Sequence, residues 1–161
     1  MTLSLLEQLK QSALGVWLSS SMAGAPTLIA LHSVGMAAVV GLSLMVTLRL
    51  YSVITGFDLA LIPRLLTVAA WGFTLNLVTG LGIFITRGPE YIGSGVFLLK
   101  MLLVLISAGT TFWLGRRLTL RLRAGAEVVD SLAKTAAVAA TTTWFAAVIA
   151  GRMIAYLSDL Y

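Results

Sequence analysis

Three ionisable side chains, His32, Lys100 and Arg152, stand inside stretches otherwise made of hydrocarbon. An ionisable group in a hydrocarbon layer is costly, so each of the three is a functional hypothesis by default. His32 is the single histidine of the chain, and an imidazole offers a metal-ligating nitrogen or a proton carrier. Lys100 and Arg152 add positive charge that suits an anionic ligand. No carboxylate lies within those stretches to neutralise them; Glu90 and Asp159 stand only at their margins.

Spacing brings the three to one level. His32 lies six residues after Pro26, Lys100 five after Gly95, and Arg152 six before Ser158. On antiparallel helices rising 1.5 Å per residue, each then sits roughly 8–9 Å below the same boundary. A haem b reading makes His32 Nε2 an axial ligand, with Lys100 and Arg152, helped by Arg87, pairing with the propionates. Lys100, a methionine, water or a second copy's histidine in a homo-oligomer would complete the iron. Gly35 is then either a helix-contact glycine or a flat spot for the macrocycle. Asn76, between Gly72 and Gly80 at four-residue spacing, is either interhelical glue or a ligand contact.

A copper reading uses other atoms. His32 and Met36 are four residues apart on one helical face, with Met101 and Met153 at similar depth, a soft N/S set that favours Cu(I). Lys100 and Arg152 would repel that cation, which ranks copper below haem. Without cysteine there is no disulfide, thiolate site or iron–sulfur ligation. Nor does any His–Asp pairing or pair of buried acids support hydrolytic chemistry.

The elements that must position these groups follow from composition. Of 161 residues, 59% are apolar and 11% charged, and the mean hydropathy is +1.00. Soluble domains carry about 25% charged residues, so an ordinary water-soluble globule is excluded. A bilayer span takes about 20 residues, and four runs qualify: residues 26–48, 65–86, 95–114 and 135–158. Gly115-Arg116-Arg117 is expected to stop the third, although the polar–apolar alternation over Thr119 to Arg123 would also let the loop extend it. Ahead of them, Ser4-Leu5-Leu6-Glu7 reads as a capping box. Leu5, Leu6, Leu9, Ala13, Val16 and Trp17 gather near one helical face, so residues 1–25 are expected to form an amphipathic interfacial helix and linker, not a signal peptide. The fold class is all-α, an integral membrane four-helix bundle.

Charge orients it. Seven of the eleven basic residues, Arg49, Arg64, Arg116, Arg117, Arg121, Arg123 and Lys134, flank the loops after the first and third spans. The positive-inside rule then makes those loops cytoplasmic and both termini periplasmic in a bacterial inner membrane. The net charge of +5 is a topology signal facing anionic lipid headgroups. Basic residues flank apolar runs instead of forming a stripe, so nucleic acid is not a partner.

The runs Leu31-His32-Ser33-Val34-Gly35-Met36, Leu48-Arg49-Leu50, Phe97-Leu98-Leu99-Lys100 and Trp144 to Tyr156 resemble an uncharacterised family of small four-helix bacterial inner-membrane proteins. More distantly, the first-span histidine, the Arg-containing exit and the third-span lysine are similar to the HemJ-type protoporphyrinogen oxidases, a resemblance that implies a haem-associated role for His32 and Lys100. The general plan is also similar to CopD-type copper-resistance membrane proteins. The expected function is a haem b-binding electron-transfer or redox subunit, its site in the periplasmic half, serving a periplasmic or membrane redox partner. The alternatives are a copper-binding or copper-transport protein and a structural or lipid-binding membrane subunit.

Overall fold

The computed structural model describes residues 2–158, apart from the side chains of residues 2–4, 155, 157 and 158. Asp159 and Tyr161, expected at the interface, lie outside the described residues. All regular structure among the described residues is helical: α1 (Thr2–Gln11), α2 (Ala13–Ser20), α3 (Gly24–Leu50), a 3-10 turn (Leu59–Leu61), α4 (Ile62–Ile92), α5 (Gly95–Arg123) and α6 (Ser131–Ser158). The last four α-helices are long and apolar enough to cross a membrane. They pack mainly as two hairpins, α3 on α4 and α5 on α6. Contact between α3 and α6 joins the hairpins, and α4 meets α5 more sparsely.

The polarity of these helices is inverted relative to a soluble protein. Trp71, Phe112 and Ile149 are 72%, 74% and 61% exposed, whereas Ser43, Thr47, Asn76, Thr79, Ser107 and Thr141 are buried. Association in lipid gains little from hiding hydrocarbon, so close packing and interhelical hydrogen bonds must supply it. The hydroxyls do so layer by layer. Thr47 bonds Thr141 at 2.8 Å and the Ala137 carbonyl at 3.1 Å, tying α3 to α6. Ser107 donates to Thr143 at 2.8 Å, and the Trp144 indole to Thr111 at 3.1 Å, tying α5 to α6. Trp144 also meets Phe73 of α4 edge-on, with centroids 5.9 Å apart, at the centre of the assembly.

The two basic loops share one end. Arg49 donates to the Phe57 carbonyl at 2.8 Å, and the Lys134 ammonium lies 5.4 Å from the Tyr51 ring centre across the two loops. Here α3 and α5 both stop with paired backbone bonds: Val53 to Leu48 and Ser52 to Arg49 in one, Ala126 to Arg121 and Gly125 to Leu122 in the other. This Schellman pattern needs a left-handed residue after the cap, supplied by Ser52 (φ 58°) and Gly125 (φ 63°). Beneath the loops Val46, Leu50, Ile62, Leu114, Leu118, Ala133 and Ala137 form a buried cluster.

Asp130 closes this end. Its carboxylate accepts the Ala133 N–H at 2.8 Å, capping the first turn of α6, and pairs with Arg117 and Arg121. The Ala133 hydrogen bond, followed by the Arg117 contact, holds its carboxyl below the usual carboxylate range.

Several boundaries differ from expectation: α4 runs from Ile62 past Arg87 and Pro89 to Ile92, and α6 starts at Ser131. Gly115-Arg116-Arg117 does not stop the third span; α5 runs on to Arg123. A Cβ at Gly115 would sit 3.0 Å from Leu66 of α4, so the glycine serves helix contact, and the arginines that follow suit a helix C-terminus. The amphipathic segment is two helices, broken where Ser12 caps α2 by accepting the Gly15 N–H at 3.1 Å. Because α1 begins at Thr2, Ser4 falls inside the first turn; its side chain lies outside the described residues.

Two measurements test this packing. A Cβ at Gly35 would sit 2.7 Å from the Gly72 carbonyl, whereas at Gly41 it would meet nothing within 4 Å. Gly35→Ala should therefore lower the melting temperature of the purified protein, while Gly41→Ala should preserve it or add up to about 1 kcal/mol of helix propensity. For Asp130, the depressed carboxyl means the unfolded chain binds the proton more tightly. Its stabilisation is complete above an ordinary Asp pKa of about 3.9 and is lost as pH falls through the lower folded value. Asp130→Asn should flatten that acid limb of the unfolding curve.

Candidate functional site

The imidazole of His32 reaches from α3 onto the backbone of α4. Its Nδ1 lies 3.0 Å from the Asn76 carbonyl oxygen and 3.2 Å from the Thr79 hydroxyl. A carbonyl cannot donate, so the His32–Asn76 bond requires a proton on Nδ1. Thr79 spends its own hydrogen on the Leu75 or Asn76 carbonyl, at 2.7 and 3.1 Å, which leaves its oxygen free to accept from the same N–H. In return the Asn76 side-chain amide donates to the His32 carbonyl at 2.8 Å. This reciprocal pair orients the ring and fixes its tautomer. In the neutral imidazole Nε2 then carries the lone pair, and it makes no hydrogen bond among the described residues.

Small residues make the geometry possible. Gly35 faces Gly72 so closely that the two backbones are in van der Waals contact, which brings the Asn76 carbonyl within reach of an imidazole one turn away. A Cβ at Gly80 would sit 3.1 Å from His32 Cε1, so Gly80 makes room for the ring. Gly151 lies against Lys100, whose Nζ is 3.4 Å from where a Gly151 Cβ would stand, an ordinary contact distance. Lys100 is half-buried, within Coulombic reach of His32, and has no acidic partner among the described residues.

No family model, curated protein or solved structure matches this chain. The site must be interpreted from its own chemistry.

The expected residues separate into two groups. His32, Asn76 and Lys100 are gathered in the half of the molecule opposite the basic loops. Gly35 is buried against Gly72, which assigns it to helix contact and leaves it no surface for a ligand. Arg87 and Arg152 are exposed, on the outside of the helices that Asn76 and Gly151 face inward. Among the methionines, Met36 packs against the Val39–Val40–Trp144 cluster, while Met101 and Met153 are 39% and 48% exposed. No group of three or more His, Asp or Glu suited to a metal ion occurs among the described residues.

Thr79 and Gly151 were not singled out by sequence reasoning. The signal for Thr79 is its position: three residues after Asn76 and one before Gly80, it completes an Asn-x-x-Thr-Gly face. Gly151 gives no signal until Lys100 is placed beside it.

At the outer margin of this half, α1 packs on the last turns of α4, with Lys10 and Glu90 bonded at 3.0 Å. Both side chains are well exposed, so the pair adds little stability; packing of α1 and α2 on α4, with Leu6 against Gly88, places the amino-terminal helices at this margin.

Removing the amide tests the reciprocal pair. Asn76→Ala strips the His32 carbonyl of its donor but leaves the backbone acceptor of Nδ1 in place. It should cost about 1–2 kcal/mol of stability, measured by thermal unfolding in detergent.

Proposed function

We propose that this chain is an integral membrane four-helix bundle that binds an anionic redox ligand, haem b in the first instance, in the half holding His32 and Lys100. The single observation carrying the reading is the imidazole with Nδ1–H committed to a main-chain carbonyl and Nε2 uncommitted. Ligating histidines are generally prepared in this way, the second ring nitrogen donating to a carbonyl or carboxylate and thereby fixing ring and tautomer. The donor set fits the group. One imidazole supplies an axial nitrogen, and the ammonium of Lys100, half-buried without an acid, supplies countercharge for a propionate. When bound, haem would supply one-electron redox chemistry.

The chain's own residues would perform three tasks. Asn76 and Thr79 hold His32 in one orientation, and Gly80 leaves room for the ring itself. Lys100 favours the anionic end of the ligand and disfavours a bare cation, which together with the outward Met101 and Met153 ranks copper second. Arg152 and Arg87, being exposed, would act at the edge of the site or on headgroups.

Orientation follows from charge. With seven basic residues at one end, the positive-inside rule puts that end in the cytoplasm and the His32 half, with both termini, on the periplasmic side of a bacterial inner membrane. The amino-terminal helices would then lie in the headgroup plane, and electrons would pass to or from a periplasmic or membrane partner.

An absorption spectrum of protein purified from haem-replete cells tests this. The expected result is a Soret band, lost in His32→Ala, and displaced in wavelength or weakened in Lys100→Ala. Colourless protein whose metal content is at background would overturn it; stoichiometric copper lost in His32→Ala/Met36→Ala would favour the copper reading instead.

A further inference from the structure

The sparsest helix contact of the four leaves an opening. Between α4 and α5, toward the basic end, lies an apolar groove of about 590 Å³, a size within the roughly 300–1,000 Å³ of small-molecule pockets. Val39, Phe73 and Trp144 line its depth, and Leu66 and Phe112 its walls. Its polar lining includes the guanidinium-bearing side chains of Arg116 and Arg123 and the Thr119 hydroxyl. The groove lies in the half away from His32, and no residue of the His32–Lys100 site contributes to it.

The arginines of α5 are sorted by helical spacing. Arg117 and Arg121, four residues apart, turn to Asp130. Arg116 and Arg123, seven residues apart, return to the same stripe, the one that lines the groove, and neither makes an ion pair or hydrogen bond among the described residues. Asp130 is thus already engaged by the other pair. An apolar trough with two uncommitted guanidiniums toward its basic end is complementary to a molecule with a hydrocarbon tail and an anionic head. Guanidinium forks match phosphate oxygens in pairs, and α4 and α5 are both long and apolar enough to lie in a bilayer, where such molecules are the solvent.

We infer that the α4–α5 groove is a binding site for an anionic phospholipid, one acyl chain lying against Phe73 and Trp144 and the phosphate held by Arg116 and Arg123. The inference rests on the helices lying in a bilayer and not on haem; the Soret experiment and the lipid experiment can fail independently.

Native mass spectrometry of the full chain, in detergent with equimolar phosphatidylglycerol and phosphatidylcholine of the same acyl composition, tests it. The wild type should retain phosphatidylglycerol about tenfold over phosphatidylcholine, since basic groups near a lipid surface are each worth a several-fold preference. Arg116→Gln/Arg123→Gln should bring the ratio to parity with unchanged helical content by circular dichroism; should that double variant fail to fold, Arg123→Gln alone should reduce the ratio about threefold. Ala70→Trp, which fills the groove and keeps both arginines, should expel the retained lipid. Arg64→Gln, an exposed basic residue at the same end but outside the groove lining, should leave the tenfold preference intact. Equal retention of the two lipids by the wild type, an Arg64→Gln effect as large as that of the double variant, or full retention by Ala70→Trp would each overturn the site, the second by making the attraction a diffuse surface field.

Discussion

Backbone contact between α3 and α4, made at Gly35 and Gly72, is the constraint on which the candidate site depends. Any Cβ at Gly35 would meet the Gly72 carbonyl at 2.7 Å, so the two helices approach as closely as main chains can. Only at that separation can an imidazole on α3 use the main-chain carbonyl of α4 as its acceptor and return a carbonyl to the Asn76 amide. A wider gap would require side-chain partners for His32, and a side chain can rotate where a helical carbonyl cannot. The rigidity of the ring is therefore set by two glycines that touch no ligand.

The two ends of the molecule are built on different principles. At the basic end, Asp130 is shared by two arginines, a lysine lies over a tyrosine ring, and the loops sit on a continuous apolar cluster. Part of the charge there is neutralised or stacked, and both α3 and α5 terminate in the same backbone motif. At the opposite end the ionisable groups between the helices are His32 and Lys100, with no acid paired to them among the described residues. The first end has the character of a structural clasp; the second keeps uncompensated chemistry inside a thinner frame of glycines, with α1 and the exposed Lys10–Glu90 pair across its margin.

Much of this was legible in the sequence, for reasons that also explain what was not. The four long helices follow from composition, because no alternative fold hides so much hydrocarbon with so little charge. The mutual facing of Asn76 and His32 was readable in outline from the four-residue spacing of Gly72, Asn76 and Gly80, since small and polar residues mark contact faces in an apolar helix. Apolar periodicity was silent. Where the outside of a helix is as hydrophobic as the inside, a methionine at position 36, 101 or 153 looks the same whether it packs on Trp144 or faces outward, and only the coordinates separate them. Arg152 marks a related limit: equal depth does not fix the direction in which a side chain points, and at that level Arg152 is exposed while its neighbour Gly151 lies against Lys100. The end of α5 was also misplaced, because Gly115 followed by two arginines carries the same letters as a helix stop and as a contact glycine before a basic last turn.

The uncompensated state of Lys100 adds to what the imidazole carries. A histidine bonded through Nδ1 to two oxygens of a neighbouring helix is oriented by them and still has Nε2 uncommitted. An ammonium inside an apolar helix assembly is different: with no acid paired to it among the described residues, it must lose its proton, extend to water or meet an anion. Arg117 and Arg121 show how this chain treats cations that serve structure, giving them Asp130 and a carbonyl. Lys100 receives no such partner among the described residues and lies against Gly151. A half-buried cation without an acid there, in the same half of the molecule as a ring nitrogen that makes no hydrogen bond among the described residues, is what a site for an anionic ligand requires and what a helix contact has no use for.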